Sequence, residues 1–102
     1  MIQLVNNHRA ELTALCRQHG VRRLDLFGSA ADGTFDSNNS DLDFLVEFED
    51  LPRGQYANAY FGLLESLEAL FQRPVDLVMP TAIRNRYFLE SVNRTRTELY
   101  AA

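Results

Sequence analysis

The sequence contains no lysine, a single cysteine and no apolar run longer than a few residues. Ten arginines stand against fourteen acidic residues, and the resulting net charge of -4 argues against wrapping around a nucleic-acid backbone. Cys16 alone cannot form an internal disulfide, and without a Cys/His cluster no zinc site is expected. Signal peptides and membrane spans need longer apolar runs. We therefore expect a protein of the reducing cytoplasm with no direct nucleic-acid or membrane contact.

The composition that is present favours a compact fold. Of the 102 residues, 46% are hydrophobic and 24% are charged, which is typical of one globular domain covering residues 1–102. Folded chains this short bury ~65% of their extended surface. Stability should therefore be modest, and we expect an oligomer in which a partner covers an exposed face.

The first half of the chain predicts a helix and two strands. Apolar residues from Gln3 to His19 fall on one helical side, and Gly20 supplies a left-handed stop. Val21 to Phe27 alternates like a strand that ends at Gly28. Asp41 to Glu49 alternates most clearly of all. One face of that strand carries Leu42, Phe44, Val46 and Phe48, and the other carries Asp41, Asp43, Leu45 and Glu47.

The second half predicts a long helix that ends before Pro74, a third strand over Val75–Met79, and a final helix capped by Thr81 and running to about Asn93. Arg94, Arg96 and Tyr100 then form a basic tail, either frayed or able to dock on an acidic partner. The order α-β-β-α-β-α predicts an α+β fold, a small mixed sheet with helices packed mainly on one face. The other face is then free for a site.

Two aspartates two positions apart are the first candidate site. In a strand, Asp41 and Asp43 point to the same side, about 7 Å apart at the backbone, so both can converge on one cation. Mg²⁺ prefers carboxylate oxygens and would offset their repulsion. A pair of solvated carboxylates is the alternative, but no Arg stands at the next alternating positions to neutralise them.

A Gly-Ser pair and a third aspartate extend this site. Gly28 follows a strand directly and lets the backbone approach an anion, and the Ser29 hydroxyl adds a donor for a phosphate oxygen. Gly-Ser alone is a weak signal, since an ordinary turn has the same composition. Asp76 stands between Val75 and Leu77 in an apolar strand, where a carboxylate needs a compensating charge. A metal shared with Asp41 and Asp43 would supply it.

These motifs resemble a known family over nearly the whole chain. The segments are LFGSAA at 26–31, SDLDFLV at 40–46 and PVDLV at 74–78. Together they resemble the minimal nucleotidyltransferase (MNT) domain of the DNA polymerase beta-like superfamily. The resemblance implies the nucleotidyltransferase fold, with Asp41 and Asp43 binding Mg²⁺ and Gly28 and Ser29 holding the triphosphate of ATP. It further implies that Asp76 is the third catalytic and metal-binding carboxylate and helps to activate the attacking hydroxyl.

The family also implies a partner. Many MNT domains are antitoxins of two-gene HEPN/MNT modules and transfer AMP from ATP to a tyrosine of the helical HEPN ribonuclease toxin. The resemblance therefore implies an Mg²⁺-dependent protein adenylyltransferase that forms a hetero-oligomer with a HEPN-type toxin encoded alongside. The chain has no length for a separate substrate-binding lobe, which also favours a partner that presents the hydroxyl.

One position departs from the family pattern and leaves alternatives open. The family usually has a basic residue before the glycine that follows Gly-Ser-x-Ala, whereas this chain has Asp32. A solvated carboxylate there repels a triphosphate by ~1 kcal/mol unless an arginine compensates. The candidates for compensation are Arg22, Arg23, Arg84 and Arg86. A catalytically weak antitoxin that acts by binding alone, and an enzyme that modifies a small molecule such as a drug, are the alternative functions.

Overall fold

The structure is a computed structural model that describes residues 3–28 and 41–102. Its helices are α1 (Gln3–Asn6), α2 (Arg9–Gln18), α3 (Tyr56–Phe71) and α4 (Arg86–Thr95), with a 3-10 turn at Pro80–Ala82. Its strands are β1 (Val21–Phe27), β2 (Leu42–Phe48), β3 (Val75–Val78) and β4 (Thr97–Ala101). In these two ranges, no helix is long and apolar enough to cross a membrane.

The four strands form one mixed sheet in the order β3-β2-β1-β4. β1 is antiparallel to both of its neighbours, β2 and β4. β2 and β3 are parallel, because α3 carries the chain back to the same end of the sheet between them. The predicted α+β class with a small mixed sheet is therefore confirmed.

The main core lies on the face of the sheet that α2 and α3 cover. The predicted apolar face of β2 is buried in full, and the Phe44 ring stacks on Phe71 of α3 with ring centroids 5.9 Å apart. Cys16 is buried in this core, and burial raises the pKa of its thiol to about 12. A thiol with such a pKa is a packing group, as expected from its place on the apolar side of the first helix.

The opposite face of the sheet is partly covered. Phe27 and Leu45 are buried there against Val92 of α4, with Val78 and Ile83 at the margin. The Phe88 ring of α4 also meets Phe27 edge to face, with centroids 6.0 Å apart. α4 therefore covers Phe27 and Leu45 on the face that was expected to be free.

The ends of several elements differ from the sequence prediction. The first helix is two helices, because a turn at Asn7 and His8 separates α1 from α2. The final helix begins after Asn85, whose Oδ1 accepts hydrogen bonds from the backbone N–H groups of Tyr87 and Phe88. Thr81 is not its cap and lies in the 3-10 turn. Asparagine satisfies the free N–H groups at a helix start as well as threonine does, so composition alone did not separate the two positions.

The predicted basic tail is in fact the edge strand β4. Leu24 pairs with Tyr100 and Leu26 with Thr97, with a bulge between the two pairs. The Arg9 Nη1 atom of α2 donates to the Leu99 carbonyl oxygen at 2.9 Å, and the Leu99 side chain is buried. A five-residue strand with a bulge has too few alternating positions to stand out in a sequence.

A buried carboxylate ties β1 to the C-terminal segment. Among the described residues, Asp25 is the only polar or charged one that is fully buried. Its Oδ1 accepts from the Arg23 Nε at 3.0 Å, and its Oδ2 accepts from the Arg96 Nε just after α4. Arg96 also lies 3.5 Å from a carboxylate oxygen of Glu47 on β2. An ionised group in a low-dielectric interior requires such partners.

Removing one of these partners should be costly. We expect Arg96→Ala to lower the free energy of unfolding by about 3 kcal/mol, because it leaves part of the Asp25 charge buried and unpaired. Arg22→Ala is the matched control, since Arg22 is half exposed and pairs with Glu49 and Asp50 at 3.5 and 3.9 Å. Its loss should cost less than about 1 kcal/mol. Urea unfolding of both variants measures the difference, and equal losses would mean that Asp25 does not depend on Arg96.

Candidate active site

Gly28 lies where β1 ends, directly beside Asp43 of β2. The antiparallel register pairs Phe27 with Asp43, so the residue after Phe27 passes the Asp43 side chain. Gly28 has φ +73°, and an added Cβ would lie 3.3 Å from the Asp43 Cγ and would clash with Oδ2. Only glycine accepts both this backbone conformation and this approach. The first position of the Gly-Ser motif therefore requires glycine for a steric reason, which the spacing of the motifs did not reveal.

Asp43 and Asp76 are direct neighbours across two strands. The parallel register of β2 and β3 pairs them, and paired residues of adjacent strands lie about 5 Å apart with side chains on the same side. Asp41 precedes β2 by one residue and Asp43 by two. Asp43 is half-buried, whereas Asp41 and Asp76 are exposed. The structure thus brings Gly28 and the three aspartates to one end of the sheet.

The electrostatics of this group centre on Asp43. Burial, then the charge of Asp76 and then the charge of Asp41, together raise the pKa of its carboxyl from 3.8 to about 6. The charges of Asp76 and Asp41 therefore disfavour the ionised form of Asp43. Such crowding of like charges is a mark of a site that binds a cation or moves a proton.

The donor atoms of this group suit a hard cation. All three side chains offer carboxylate oxygens, which are the ligands that Mg²⁺ prefers. Within residues 3–28 and 41–102, however, no three acidic, histidine or cysteine side chains are already drawn together as a metal centre. The aspartates are neighbours in the sheet, and the charges of Asp41 and Asp76 act on Asp43, but the three carboxylates do not converge on one point.

Other predicted site residues are less well placed. Ser29 and Asp32 lie outside the described residues. Arg22 and Arg23 stand near the start of β1, at the opposite end of the strand from Gly28, and pair with Glu49 and with Asp25 respectively. Two of the four arginines considered as partners of Asp32 are therefore engaged elsewhere.

Two features near the site were not found from the sequence. The Gly28 N–H donates to the Thr95 Oγ1 at 3.0 Å, a contact between residues 67 positions apart.

A groove of about 410 Å³ also lies along β3, lined mainly by Tyr56, Tyr60, Leu77 and Met79. The Tyr60 hydroxyl donates to the Leu77 carbonyl oxygen at 2.5 Å, and burial followed by the charge of Asp76 raises its pKa. The groove therefore runs along the strand that carries Asp76, and Tyr56 in its lining is exposed.

The raised pKa of Asp43 predicts a pH-dependent stability. A carboxyl whose pKa is higher in the folded state contributes stability below pH 3.8 that is lost as the pH rises through about 6. With a chelator present, Asp43→Asn should therefore stabilise the protein by about 1 kcal/mol near neutral pH, and the gain should shrink at about pH 4.5. Asp50→Asn, on a fully exposed side chain, is the control without such a gain. Urea unfolding at both pH values measures it, and a pH-independent difference would contradict the crowding of Asp43.

The contact between Gly28 and Asp43 predicts a coupled pair of substitutions. Gly28→Ala should cost about 2 kcal/mol of stability, because it adds a clash to the strain of a positive φ. Gly54→Ala is the matched control, since Gly54 has φ +87° and open space around it. In an Asp43→Ala background the cost of Gly28→Ala should fall by about 1 kcal/mol. Additive effects of the two substitutions would show that the clash is absent in solution.

Comparison with known proteins gives a consistent family. The model of the nucleotidyltransferase domain family matches residues 9–99. The protein adenylyltransferase MntA of Thermococcus cleftensis is 35% identical over 82 residues, which cover 80% of this chain and 76% of that protein. A solved minimal nucleotidyltransferase is 32% identical, with a TM-score of 0.74 over 93% of this chain and 94% of its own.

A more distant structure shares the fold alone. It is a complex of a tri-AMPylated HEPN toxin of Shewanella oneidensis with its MNT antitoxin, at 19% identity and a TM-score of 0.64. The match covers 96% of this chain and 73% of that one. The fold, the family match and the more similar relatives agree with the resemblance that the motifs predicted. The chain therefore belongs to the nucleotidyltransferase domain family and is a nucleotidyltransferase.

Proposed function

We propose that this protein transfers AMP from ATP to a tyrosine hydroxyl of a HEPN-type toxin encoded alongside, in an Mg²⁺-dependent reaction, and so acts as its antitoxin. The crowding of Asp43 by Asp76 and Asp41 beside Gly28 is the observation that carries this proposal. The name of the Thermococcus relative and the AMPylated toxin in the Shewanella complex support the choice of reaction and partner.

Asp41, Asp43 and Asp76 would hold the Mg²⁺ ion. Their carboxylates supply only oxygen donors, and burial followed by the charges of Asp76 and Asp41 raises the pKa of Asp43, so a positive charge among them is favourable. When bound, Mg²⁺ supplies the charge that balances these carboxylates and the phosphates of ATP. Gly28 leaves room beside Asp43, and Ser29 would follow it along the triphosphate.

The reaction replaces a phosphoanhydride bond of ATP with a phosphoester bond to the tyrosine. The tyrosine oxygen bonds to the α-phosphorus of ATP, the bond from that phosphorus to the bridging oxygen breaks, and pyrophosphate leaves. A phenol loses its proton only near pH ~10 when unassisted, so a base is required. Asp76 fits this role because it is exposed at the edge strand, whereas Asp43 is half-buried. The proton therefore goes to Asp76.

The groove supports an aromatic acceptor. It runs along β3, the strand that carries Asp76, and its lining is mainly apolar, from the tyrosines of α3 to Met79. Apolar grooves with a few polar groups at one end are typical of sites for small or aromatic ligands. An acceptor tyrosine lying there would have its hydroxyl near the carboxylate that takes its proton.

Incubation of this protein with the adjacent HEPN-type protein, Mg²⁺ and ATP tests the proposal. Intact-mass spectrometry of the partner should show the added mass of AMP, and a chelator should prevent it. Asp43→Asn should abolish transfer. Asp76→Asn should slow transfer at least about a hundredfold while changing ATP affinity much less, because it removes the base while Asp41 and Asp43 still hold the cation. Asp50→Asn, the same change at an exposed position beyond the opposite end of β2, should transfer as wild type does.

The controls separate the alternative functions. Transfer that disappears when the partner tyrosines are changed to phenylalanine identifies the acceptor as tyrosine, and transfer that persists contradicts that part of the proposal. Complex formation without any added mass, under conditions where ATP binds by calorimetry, would instead indicate an antitoxin that acts by covering its toxin.

A further inference from the structure

The last residue of α4 contacts the candidate active site through its hydroxyl. Thr95 Oγ1 accepts the Gly28 N–H at 3.0 Å, and its own proton is directed back into the helix, toward the carbonyl oxygens of Ser91 and Val92 at 3.3 and 3.5 Å. A hydroxyl has one proton and two lone pairs, so donation within the helix leaves a lone pair for Gly28. The helix therefore fixes the direction in which this acceptor points.

The neighbouring residue holds the same segment to β1. Arg96 bonds to the buried Asp25, three residues before Gly28 on the same strand. Thr95 and Arg96 thus attach the junction of α4 and β4 to β1 at two points, one at the buried carboxylate and one at the glycine. Because Asp25 anchors the first point in the interior, the second point has little freedom to shift.

The backbone at Gly28 is conformationally permissive. Gly28 has no side chain, and glycine at positive φ has access to more backbone conformations than any other residue. It also passes close to the Asp43 carboxylate. A small rotation at Gly28 would change both that approach and the direction of the chain toward Ser29. The hydrogen bond from Thr95 restricts this rotation.

We propose that Thr95 is a positioning residue of nucleotidyl transfer: its hydroxyl holds Gly28 against Asp43 in the arrangement that receives the triphosphate. This inference rests on the function proposed above. It also changes the role of the Gly28 N–H, which is bonded within the protein and is not a donor to phosphate. The family motifs in this sequence end at Val78, so Thr95 lies outside all of them.

Replacement of the Thr95 hydroxyl tests the proposal. Thr95→Val keeps the shape and branching of the side chain but removes the acceptor, and Thr95→Ser keeps the acceptor. We expect Thr95→Val to weaken Mg²⁺-ATP binding in calorimetry and to lower kcat/KM for AMP transfer by about tenfold, since one positioned hydrogen bond is lost. Thr95→Ser should remain within about twofold of wild type.

A neighbouring threonine provides the matched control. The Thr97 hydroxyl donates to the Thr95 carbonyl oxygen at 3.2 Å and has no hydrogen bond to Gly28. Thr97→Val removes a hydrogen bond from the same segment, so it should lower stability about as much as Thr95→Val without weakening Mg²⁺-ATP binding. Equal loss of affinity in the two valine variants would reduce Thr95 to a structural role and overturn the proposal.

Hydrogen exchange of the Gly28 amide gives a measurement that does not depend on activity. By NMR, this amide should exchange faster in Thr95→Val than in wild type, Thr95→Ser or Thr97→Val. Faster exchange with unchanged Mg²⁺-ATP affinity and unchanged kinetics would overturn the proposal. If wild type binds Mg²⁺-ATP but transfers nothing, the proposed function is wrong, and the affinities of the Thr95 variants alone decide whether Thr95 positions the nucleotide site.

Discussion

The buried charge of Asp25 is the constraint on which the second face of the sheet depends. A carboxylate with no exposed surface requires cationic partners, and here they come from its own strand and from the residue that follows α4. Arg96 reaches Glu47 as well, so one arginine spans two strands. The need to satisfy Asp25 thus draws the end of α4 and the start of β4 onto β1. The Thr95 contact with Gly28 follows from that placement.

The register of the sheet determines where the site aspartates lie. A shift of one residue between β1 and β2 would turn Asp43 into the core and Phe44 out of it, so the burial of alternate β2 residues determines on which face the carboxylates lie. The parallel pairing with β3 then places Asp76 beside Asp43. The aspartates are therefore neighbours because the apolar residues of the same strands are buried, and the interaction of Asp43 with the other two opposes the arrangement.

Much of the secondary structure could be predicted from local sequence patterns. The alternation in β1 and β2, the long apolar face of α3 and the stops at Gly20 and Pro74 are features of short windows, and the structure confirms them. The features that escaped prediction depend on contacts between distant residues. The Gly28–Thr95 bond joins positions 67 apart, and β4 is held by pairing with β1 and by Arg9 of α2. Nothing within the sequence near Thr95 distinguishes it from other threonines.

The division of exposure among the aspartates has a chemical consequence. Among the three site aspartates Asp43 is the least exposed, and its pKa is raised by burial and then by repulsion from the more exposed Asp76 and Asp41. In the proposed reaction a cation would relieve that repulsion. The folded protein therefore holds Asp43 in an unfavourable charged environment, which binding of the cation would stabilise. The buried apolar face of β2 and the ion pairs of Asp25 lie elsewhere in the sheet and supply the stability that this arrangement costs. Burial of the apolar face of β2 thus holds the strands in register, and burial of Asp43 favours the binding of a positive charge at the site.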